Sequence, residues 1–296
     1  MIIRIDQDLC KACGICGHVC PRHIPVTIED ENKKITTISP ERINLCLQCG
    51  HCVAVCPNHA MQVESLDKEE FVSVKAPDIS ENEFLSLLQQ RRSVRRYKDK
   101  ALPREIINRI IDAAHSSPTG TGSMTTGVIV IDSPEILARL SELIFESYER
   151  FAKNLKNPIA RFFIKKKIGE KRLRTLLDFV MPGMHWYIRW YKEGKSNEIL
   201  RDCPALLLFH SPTFEPVGSE NCLIAAFHAI MMAKVMKIGT GFSDLIPPMC
   251  NRVSKIRKLL GLPDNREVHA SITMGYSKYK FKRVIPRKLA EVRYLE

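Results

Sequence analysis

Two runs of cysteine have the residue type and the spacing needed to hold a metal cofactor. Each follows the pattern C-x2-C-x2-C-x3-C-P, the first with Cys10, Cys13, Cys16 and Cys20 and the second with Cys46, Cys49, Cys52 and Cys56. Thiolates two residues apart on a tight loop can ligate three corners of one cube, so this spacing predicts cubane iron–sulfur clusters. Zinc is the alternative, because C-x2-C pairs also bind zinc, but a zinc site has no need of a doubled run that ends in proline.

These runs resemble those of bacterial-type ferredoxins that carry two clusters, and the resemblance covers about residues 1–64. In that family the fourth cysteine of each run ligates the other cluster. The resemblance therefore implies one [4Fe-4S] cluster on Cys10, Cys13, Cys16 and Cys56, and a second on Cys46, Cys49, Cys52 and Cys20.

The charge of the chain is divided unevenly. Residues 1–75 contain 8 basic and 10 acidic residues, whereas the remainder contains 37 basic and 23 acidic residues. A basic body beside an acidic electron carrier favours docking between the two and the binding of anionic ligands. The sequence has no helix-turn-helix, zinc-finger or RNP-type signature, so we expect no nucleic acid partner.

The sequence predicts a cytoplasmic protein. Its first residues lack the features of a secretory signal, and no apolar run is long enough to span a bilayer. The three cysteines outside the runs, Cys203, Cys222 and Cys250, are isolated in apolar or mixed surroundings and are expected to be buried thiols. Exposed clusters also favour a reducing, oxygen-poor cell.

A second domain is predicted over residues 79–296, after a charged linker at 65–78. Ser80 and Glu83 form a capping-box pattern before an apolar helical face, and that helix leads into the Arg-rich segment 91–97. Alternating helix and strand patterns then follow to a basic tail. The segment 221–237 is apolar nearly all round, which predicts a central buried helix.

The segment 139–201 is unusual within this domain because it contains 15 basic and 7 acidic residues and an aromatic patch that includes Trp186 and Trp190. Three interpretations stay open from the pattern. The segment could be an amphipathic element at a membrane surface, a basic lid over a ligand site, or a pair of solvated helices.

The order of motifs over residues 80–296 resembles the nitroreductase family. The motifs are Arg-Arg-Ser-Val-Arg at 91–95, Ser-Pro-Thr-Gly at 117–120, Ile-Gly-Thr-Gly at 238–241, Leu-Leu-Gly-Leu-Pro at 259–263 and Met-Gly-Tyr at 274–276. The resemblance implies an α+β fold, in which a mixed α/β domain with a sheet flanked by helices follows the ferredoxin-type domain. It also implies a homodimer with FMN at the subunit interface.

The same resemblance implies where FMN would bind. Residues of the Arg-rich turn hold the FMN phosphate and ribityl chain in the family, which gives Arg91, Arg92, Ser93 and Arg95 here, with Arg287 as a second phosphate contact and Arg283 as a weaker candidate. Guanidinium groups and a hydroxyl suit a phosphate that carries about two negative charges.

The sequence departs from the family where the flavin ring is contacted. The usual Asn and Gln-Pro pair are missing after the Pro-x-Gly turn, so Thr119, Ser123 or backbone groups are the candidates there. Ser243 and Asp244 occupy the region that the family places near the flavin N5. We assign no catalytic residue.

Taken together, these motifs predict an oxidoreductase that passes electrons from a low-potential donor through two clusters and FMN to a small acceptor. The acceptor could be a nitroaromatic, a quinone or an activated double bond, and the external donor a ferredoxin or NAD(P)H. The alternatives are a module that relays electrons to a partner protein, an NAD(P)H-dependent flavin reductase with the clusters as exit, and a regulatory protein whose clusters sense redox state. No dinucleotide-binding G-x-G-x-x-G follows a strand.

Overall fold

A computed structural model describes residues 2–30, 33–120, 122, 124–287 and 291–295. Contacts divide the chain into two compact units. The first comprises Met1–Asp78 and Thr119–Met124, and the second comprises Ile79–Pro118 and Thr125–Glu296. Leu66 and Phe71, from the segment predicted as linker, pack against the core of the first unit.

The first unit contains two small antiparallel sheets and two short helices. Strand β1 (Ile3–Ile5) pairs with β4 (Met61–Val63), and β2 (Pro25–Asp30) pairs with β3 (Lys33–Ile38). The helices are α1 (Ile15–Val19) and α2 (His51–Ala54), each within one cysteine run. Apolar side chains of the terminal strands and helices, together with Ile24, close a small core beside the cysteines.

The second unit is built on a four-stranded antiparallel sheet in the order β5-β6-β8-β7. Its strands are β5 (Gly127–Ile131), β6 (Ala205–Pro212), β7 (Gly239–Phe242) and β8 (Arg266–Gly275). Its helices are α3 (Glu81–Gln90), α4 (Arg104–His115), α5 (Pro134–Lys156), α6 (Pro158–Ile168), α7 (Glu170–Thr175), α8 (Met181–Lys192), α9 (Gly218–Val235), α10 (Pro247–Arg252) and α11 (Ser254–Leu260), with a π-helical turn at Leu176–Val180.

Strand β6 is apolar on both faces because helices cover both sides of the sheet. Leu206 and Leu208 pack into a core formed largely with α5 and α8. Leu207 and Phe209 pack into a second core formed with α4 and α9. Successive side chains of a strand point to opposite faces, so the uninterrupted apolar run of β6 serves both cores.

Helix α9 is apolar nearly all round, as the sequence predicts, but it is not buried all round. Small residues such as Ala226 and Ala229 pack against the sheet, whereas Leu223, Ile224 and Phe227 are 48%, 38% and 42% exposed. Within the described residues, no helix is long and apolar enough to cross a membrane.

Candidate functional site

The structure brings the eight run cysteines together in two groups, and each group mixes the two runs. One cavity is lined by Cys10, Cys13, Cys16 and Cys56. The other is lined by Cys20, Cys46, Cys49 and Cys52. This is the crossed arrangement that the ferredoxin resemblance implies, in which the last cysteine of each run ligates the cluster of the other.

The two cysteine runs adopt the same backbone geometry. Gly14 and Gly50 begin α1 and α2 with φ of 74° and 73°, and Ala12 and Gln48 are also left-handed, with φ of 50° and 54°. This geometry curls the chain around the first cysteine, so the N–H of Ala12 donates to Cys10 Sγ at 3.4 Å, and the N–H of Gln48 donates to Cys46 Sγ at 3.3 Å. Such bonds stabilise negative charge on the sulfurs and adjust the reduction potential of a cluster.

Burial and the neighbouring cysteines raise the pKa of one thiol in each group. Burial, and then the charges of Cys20, Cys46 and Cys49, raise the pKa of Cys52 to about 11. Burial also raises the pKa of Cys16, and the charges of Cys10, Cys13 and Cys56 contribute in the same direction. Four thiols crowded in this way fit a cationic iron cluster, because metal coordination deprotonates them and neutralises their repulsion.

In the second unit, the Arg-rich turn is fixed between helix α3 and strand β7. The capping box of Ser80 and Glu83 begins α3, which ends at Gln90. Beyond it the chain runs parallel to β7, where Ser93 bridges Thr240 and the Val94 N–H donates to the Thr240 carbonyl at 2.8 Å. The turn therefore has a defined backbone and is not a solvated helix end.

Tyr97 anchors the far end of this turn. Its ring is buried, and its hydroxyl lies 3.0 Å from the Val94 carbonyl, 2.9 Å from the Thr273 carbonyl and 2.8 Å from the Thr273 hydroxyl. Burial, the largest effect, raises the pKa of Tyr97, so the phenol stays protonated and can donate. No sequence pattern distinguishes this tyrosine from its neighbours as an anchor.

Two guanidinium groups of the turn, those of Arg91 and Arg92, lie near Arg287 and make no ion pair among the described residues, whereas Arg96 pairs with Glu198. Burial, followed by the positive charges of Arg287 and Arg92, lowers the pKa of Arg91. Arg92 donates through Nη1 to the carbonyls of Gln89 and Arg91, while its Nε and Nη2 are buried without a partner among the described residues. Buried donors of this kind require an acceptor, and a phosphate supplies both the charge and the oxygens.

Two glycines of β7 allow the close approach of this strand to the turn. A Cβ added at Gly239 would lie 2.9 Å from the Val94 side chain, and one added at Gly241 would lie 2.6 Å from the Val94 carbonyl and 2.5 Å from Arg201 Nη1. The glycines of the Ile-Gly-Thr-Gly motif therefore pack the strand against the Arg-rich segment, and larger residues there would displace it.

The other described residues predicted to contact FMN are exposed, are already hydrogen-bonded within the fold, or lie in the first unit. Ser243 is buried, and its hydroxyl donates to the Ile199 carbonyl at 2.9 Å, so this hydroxyl is already used within the fold. Asp244, Arg95 and Arg283 are exposed, whereas Thr119 is half-buried and lies in the first unit. Ser123 lies outside the described residues.

Arg201 is a candidate that the sequence analysis missed. Its Nη1 donates to the Thr273 hydroxyl at 3.3 Å and its Nη2 to the Phe242 carbonyl at 2.9 Å, while its buried Nε lacks a partner in the described part of the chain. Burial, the largest effect, lowers its pKa, and the charge of Arg95 adds to this. Arg201 and Asp202 both adopt the left-handed backbone conformation, with φ of 61° and 49°. This conformation is strained for residues other than glycine, and no simple sequence pattern predicts it.

Comparison with known proteins identifies both parts of the chain. Residues 88–276 match the Nitroreductase family, and residues 9–61 match a 4Fe-4S dicluster domain. The chain belongs to the nitroreductase family. The predicted α+β fold, the two-cluster ferredoxin-type domain and the assignment as an oxidoreductase are thereby confirmed.

Among its relatives is iodotyrosine deiodinase 1 of Sus scrofa, 34% identical over 70% of this chain and 65% of the relative. A protein of Methanothermobacter thermautotrophicus, provisionally named NADH dehydrogenase/NAD(P)H nitroreductase, is 26% identical over 67% of this chain and 79% of its own. A nitroreductase structure with bound FMN from Bacteroides fragilis aligns with a TM-score of 0.53 and 20% identity, over 73% of this chain and 100% of the other. The structural likeness shows the shared fold.

Proposed function

We propose that this protein is an FMN- and iron–sulfur-dependent oxidoreductase, in which two [4Fe-4S] clusters accept electrons from a low-potential donor and FMN passes them to a small acceptor. One observation carries the proposal: a single chain joins a 4Fe-4S dicluster domain to a nitroreductase-family domain in which Arg91, Arg92 and Arg287 make no ion pair within the described ranges. A flavin reduced directly by NAD(P)H has no need of a fused pair of one-electron carriers.

In this proposal the chain holds the FMN phosphate with the guanidinium groups of Arg91, Arg92 and Arg287 and the hydroxyl of Ser93. Arg92 Nε and Nη2, which are buried and have no partner in the part of the chain that the structure describes, fit this role best, because a phosphate oxygen would complete their hydrogen bonding. Arg201 adds positive charge beside Gly241 and Phe242 at the end of strand β7. When bound, FMN supplies the exchange between one-electron and two-electron chemistry, and the protein orients it and tunes its electronics.

The acceptor is proposed as a class and not as a compound. Nitroaromatics, quinones and activated double bonds are all reducible by a flavin. The deiodinase relatives are named for a halogenated tyrosine, so a halogenated phenol belongs in the same panel. All of these candidate acceptors are small aromatic or conjugated molecules that are either electron-poor or carry a leaving group. Turnover assays with one compound of each kind test which of these properties the site requires.

A second candidate function is an NAD(P)H-dependent flavin reductase whose clusters carry electrons away. The name of the Methanothermobacter relative favours it, since that name includes NADH and NAD(P)H. The two candidates differ in the direction of electron flow and share the same cofactors.

Anaerobic stopped-flow spectroscopy separates the two candidates. We expect pre-reduced ferredoxin or dithionite to reduce the flavin through the clusters much faster than NADH or NADPH does. The double variant Cys13→Ala/Cys49→Ala removes one ligand from each cysteine group and should abolish ferredoxin-driven turnover while FMN stays bound. Reduction of the flavin by NAD(P)H at turnover speed in that variant would overturn the proposed direction. Turnover that requires a protein acceptor would indicate an electron-transfer module.

We also propose a homodimer. Helices α3 and α9 pack together, and each presents exposed apolar side chains, among them Phe84, Leu85, Leu223 and Phe227. An apolar surface of this kind favours association, and a second copy of the chain is the occupant that the family suggests. The cytoplasm remains the proposed compartment, because it keeps the cluster thiolates reduced.

A further inference from the structure

Helix α6 has an unusual division of its surface. Ala160, Ile164 and Ile168 recur at intervals of four and are half-buried, and the two isoleucines pack against the core of the second unit. Ile159, Phe162 and Phe163 occupy positions i, i+3 and i+4 of a different stripe. On a helix with 3.6 residues per turn, these two stripes lie on roughly opposite sides. The helix therefore has one apolar face that packs inward and another that faces out.

The outward face is strongly exposed. Ile159 is 69% exposed, Phe162 62% and Phe163 63%, and the two phenyl rings lie edge to face with centroids 5.7 Å apart. Single exposed apolar residues are ordinary on a protein surface, but three adjacent large ones at helical spacing form a patch. Such a patch is costly to leave in water and indicates an interaction surface.

Positive charge surrounds this patch. Residues 158–175 contain seven basic residues and one acidic residue, Glu170, which pairs with Lys165 and Arg174. Lys166 and Lys167 make no ion pair within the described ranges. By helical spacing, Lys166 continues the outward apolar stripe, while Lys165 and Lys167 lie on its two sides. The three lysines thus border the aromatic pair, and the charges of Lys166 and Lys167 have no acidic partner among the described residues.

We infer that the outward face of α6 binds the surface of an anionic lipid bilayer. The aromatic and aliphatic side chains would enter the boundary between headgroups and acyl chains, where Phe side chains are favourable. The lysines would lay their aliphatic stems along that boundary and place their ammonium groups among the anionic headgroups. A single outward helix face with apolar residues in the middle and lysines on either side complements a bilayer in both charge and polarity.

This inference also assigns a function to the basic segment 139–201. The structure uses most of its helices for packing: Leu140 and Ile144 of α5 and Met184 and Ile188 of α8 are buried in the core. Phe179 and Trp186 of the same segment are also exposed, but α6 is the helix on which three large exposed apolar residues recur at helical spacing beside lysines, so we assign the bilayer contact to α6. It is a peripheral contact, which adds to the proposed oxidoreductase function without depending on it.

Vesicle sedimentation with the full-length holoprotein tests the inference. We expect binding to vesicles of equimolar phosphatidylglycerol and phosphatidylcholine, reduced by high salt, and at least tenfold weaker binding to pure phosphatidylcholine. The variant Phe162→Ser/Phe163→Ser should bind anionic vesicles roughly tenfold or more weakly, because it removes two side chains from the boundary. Lys165→Gln/Lys166→Gln/Lys167→Gln should weaken binding at least tenfold and remove most of the salt dependence.

Matched control variants test whether vesicle binding depends on α6 or only on the total exposed apolar area and positive charge of the protein. Phe214→Ser removes a phenylalanine that is 74% exposed elsewhere, and Lys33→Gln/Lys34→Gln/Lys68→Gln removes the same charge from the first unit. Both controls should bind vesicles like the wild type. Unaltered circular dichroism and flavin content in the α6 variants would show that they fold.

Three results would overturn the inference. The first is equal binding to zwitterionic and anionic vesicles, or binding to neither. The second is a loss of self-association in the α6 variants measured without lipid, since a second copy would then cover this face. The third is a slower rate of reduction by ferredoxin in those variants in lipid-free solution, since the face would then dock an acidic protein.

Discussion

At the scale of single residues, the crossed sharing of cysteines between the two cavities makes a prediction that pairs of substitutions can test. If Cys13 and Cys56 ligate the same cluster, Cys13→Ala/Cys56→Ala should lose one cluster and keep about four of about eight irons. Cys13→Ala/Cys20→Ala would damage both clusters and should retain almost no iron. Iron and acid-labile sulfide are measured on anaerobically purified protein.

The two double variants are matched, because each removes two cysteines and each includes Cys13. The opposite result, in which Cys13→Ala/Cys20→Ala keeps half of the iron, would mean that each run ligates its own cluster. About two zincs per chain without sulfide, one for each group of four cysteines, would exclude the clusters altogether.

The arginine cluster gives a second prediction at this scale. Arg91→Ala or Arg92→Ala removes a charge-assisted contact of about 1.5–3 kcal/mol, so FMN affinity should fall roughly 10- to 150-fold. Flavin fluorescence measures the dissociation constant. Arg104→Ala is the control, because Arg104 is exposed and pairs with Asp132 instead. An unchanged affinity in both cluster variants would contradict the phosphate site proposed here.

At the scale of elements, a histidine connects the two central strands of the sheet. His210 on β6 accepts a hydrogen bond through Nδ1 from Arg266 Nε on β8 at 2.6 Å, and Arg266 Nη2 donates to the Thr125 carbonyl. Burial, and then the charges of Arg266 and His269, lower the pKa of His210 to about 4. A protonated Nδ1 could not accept from Arg266, so the folded state favours the neutral imidazole.

The pH dependence follows from the direction of that shift. Because the folded pKa lies below the unfolded value of about 6.5, the unfolded state binds the extra proton first as pH falls. The contribution of His210 is complete above about pH 6.5 and is lost progressively toward pH 4. We expect the wild type to lose about 1–2 kcal/mol across that window relative to His210→Asn, after discounting for partial exposure.

Urea unfolding of both proteins between pH 7 and pH 4.5 measures this difference, and comparing them cancels the acid sensitivity of the other groups. Asn is the suitable replacement because its side-chain oxygen can accept from Arg266 without titrating. A constant difference in stability between the two proteins over this range would contradict the assigned pKa of His210.

At the scale of the whole molecule, the exposed face of α9 predicts the oligomeric state. Leu223→Glu/Phe227→Glu places two charges on the proposed dimer surface, so it should convert a dimer to a monomer. Sedimentation velocity measures the mass in solution. Phe214→Glu, which charges an exposed phenylalanine outside this face, should remain a dimer. A monomeric wild type, or a variant that stays dimeric, would contradict the proposed interface.

The sequence by itself determined the features that depend on local spacing. The cysteine runs are such a case, because the cluster geometry requires thiolates at fixed short intervals and a turn after the last one. The capping box at Ser80 and Glu83 is another, since its hydrogen bonds form within one helical turn. The apolar character of α9 is likewise readable along the chain.

Only the tertiary structure decided which distant residues meet. The pairing of Val94 with Thr240 and the anchoring of Tyr97 to Thr273 join segments far apart in sequence, so no periodicity reveals them. The left-handed Arg201 is positioned by Thr273 and Phe242, and the buried Ser243 hydroxyl is used by Ile199. Helix α6 is a further example. Its apolar and basic residues are distributed around the whole helix, so the sequence does not show which face is buried. Only the packing of Ile164 and Ile168 against the core identifies the inward face.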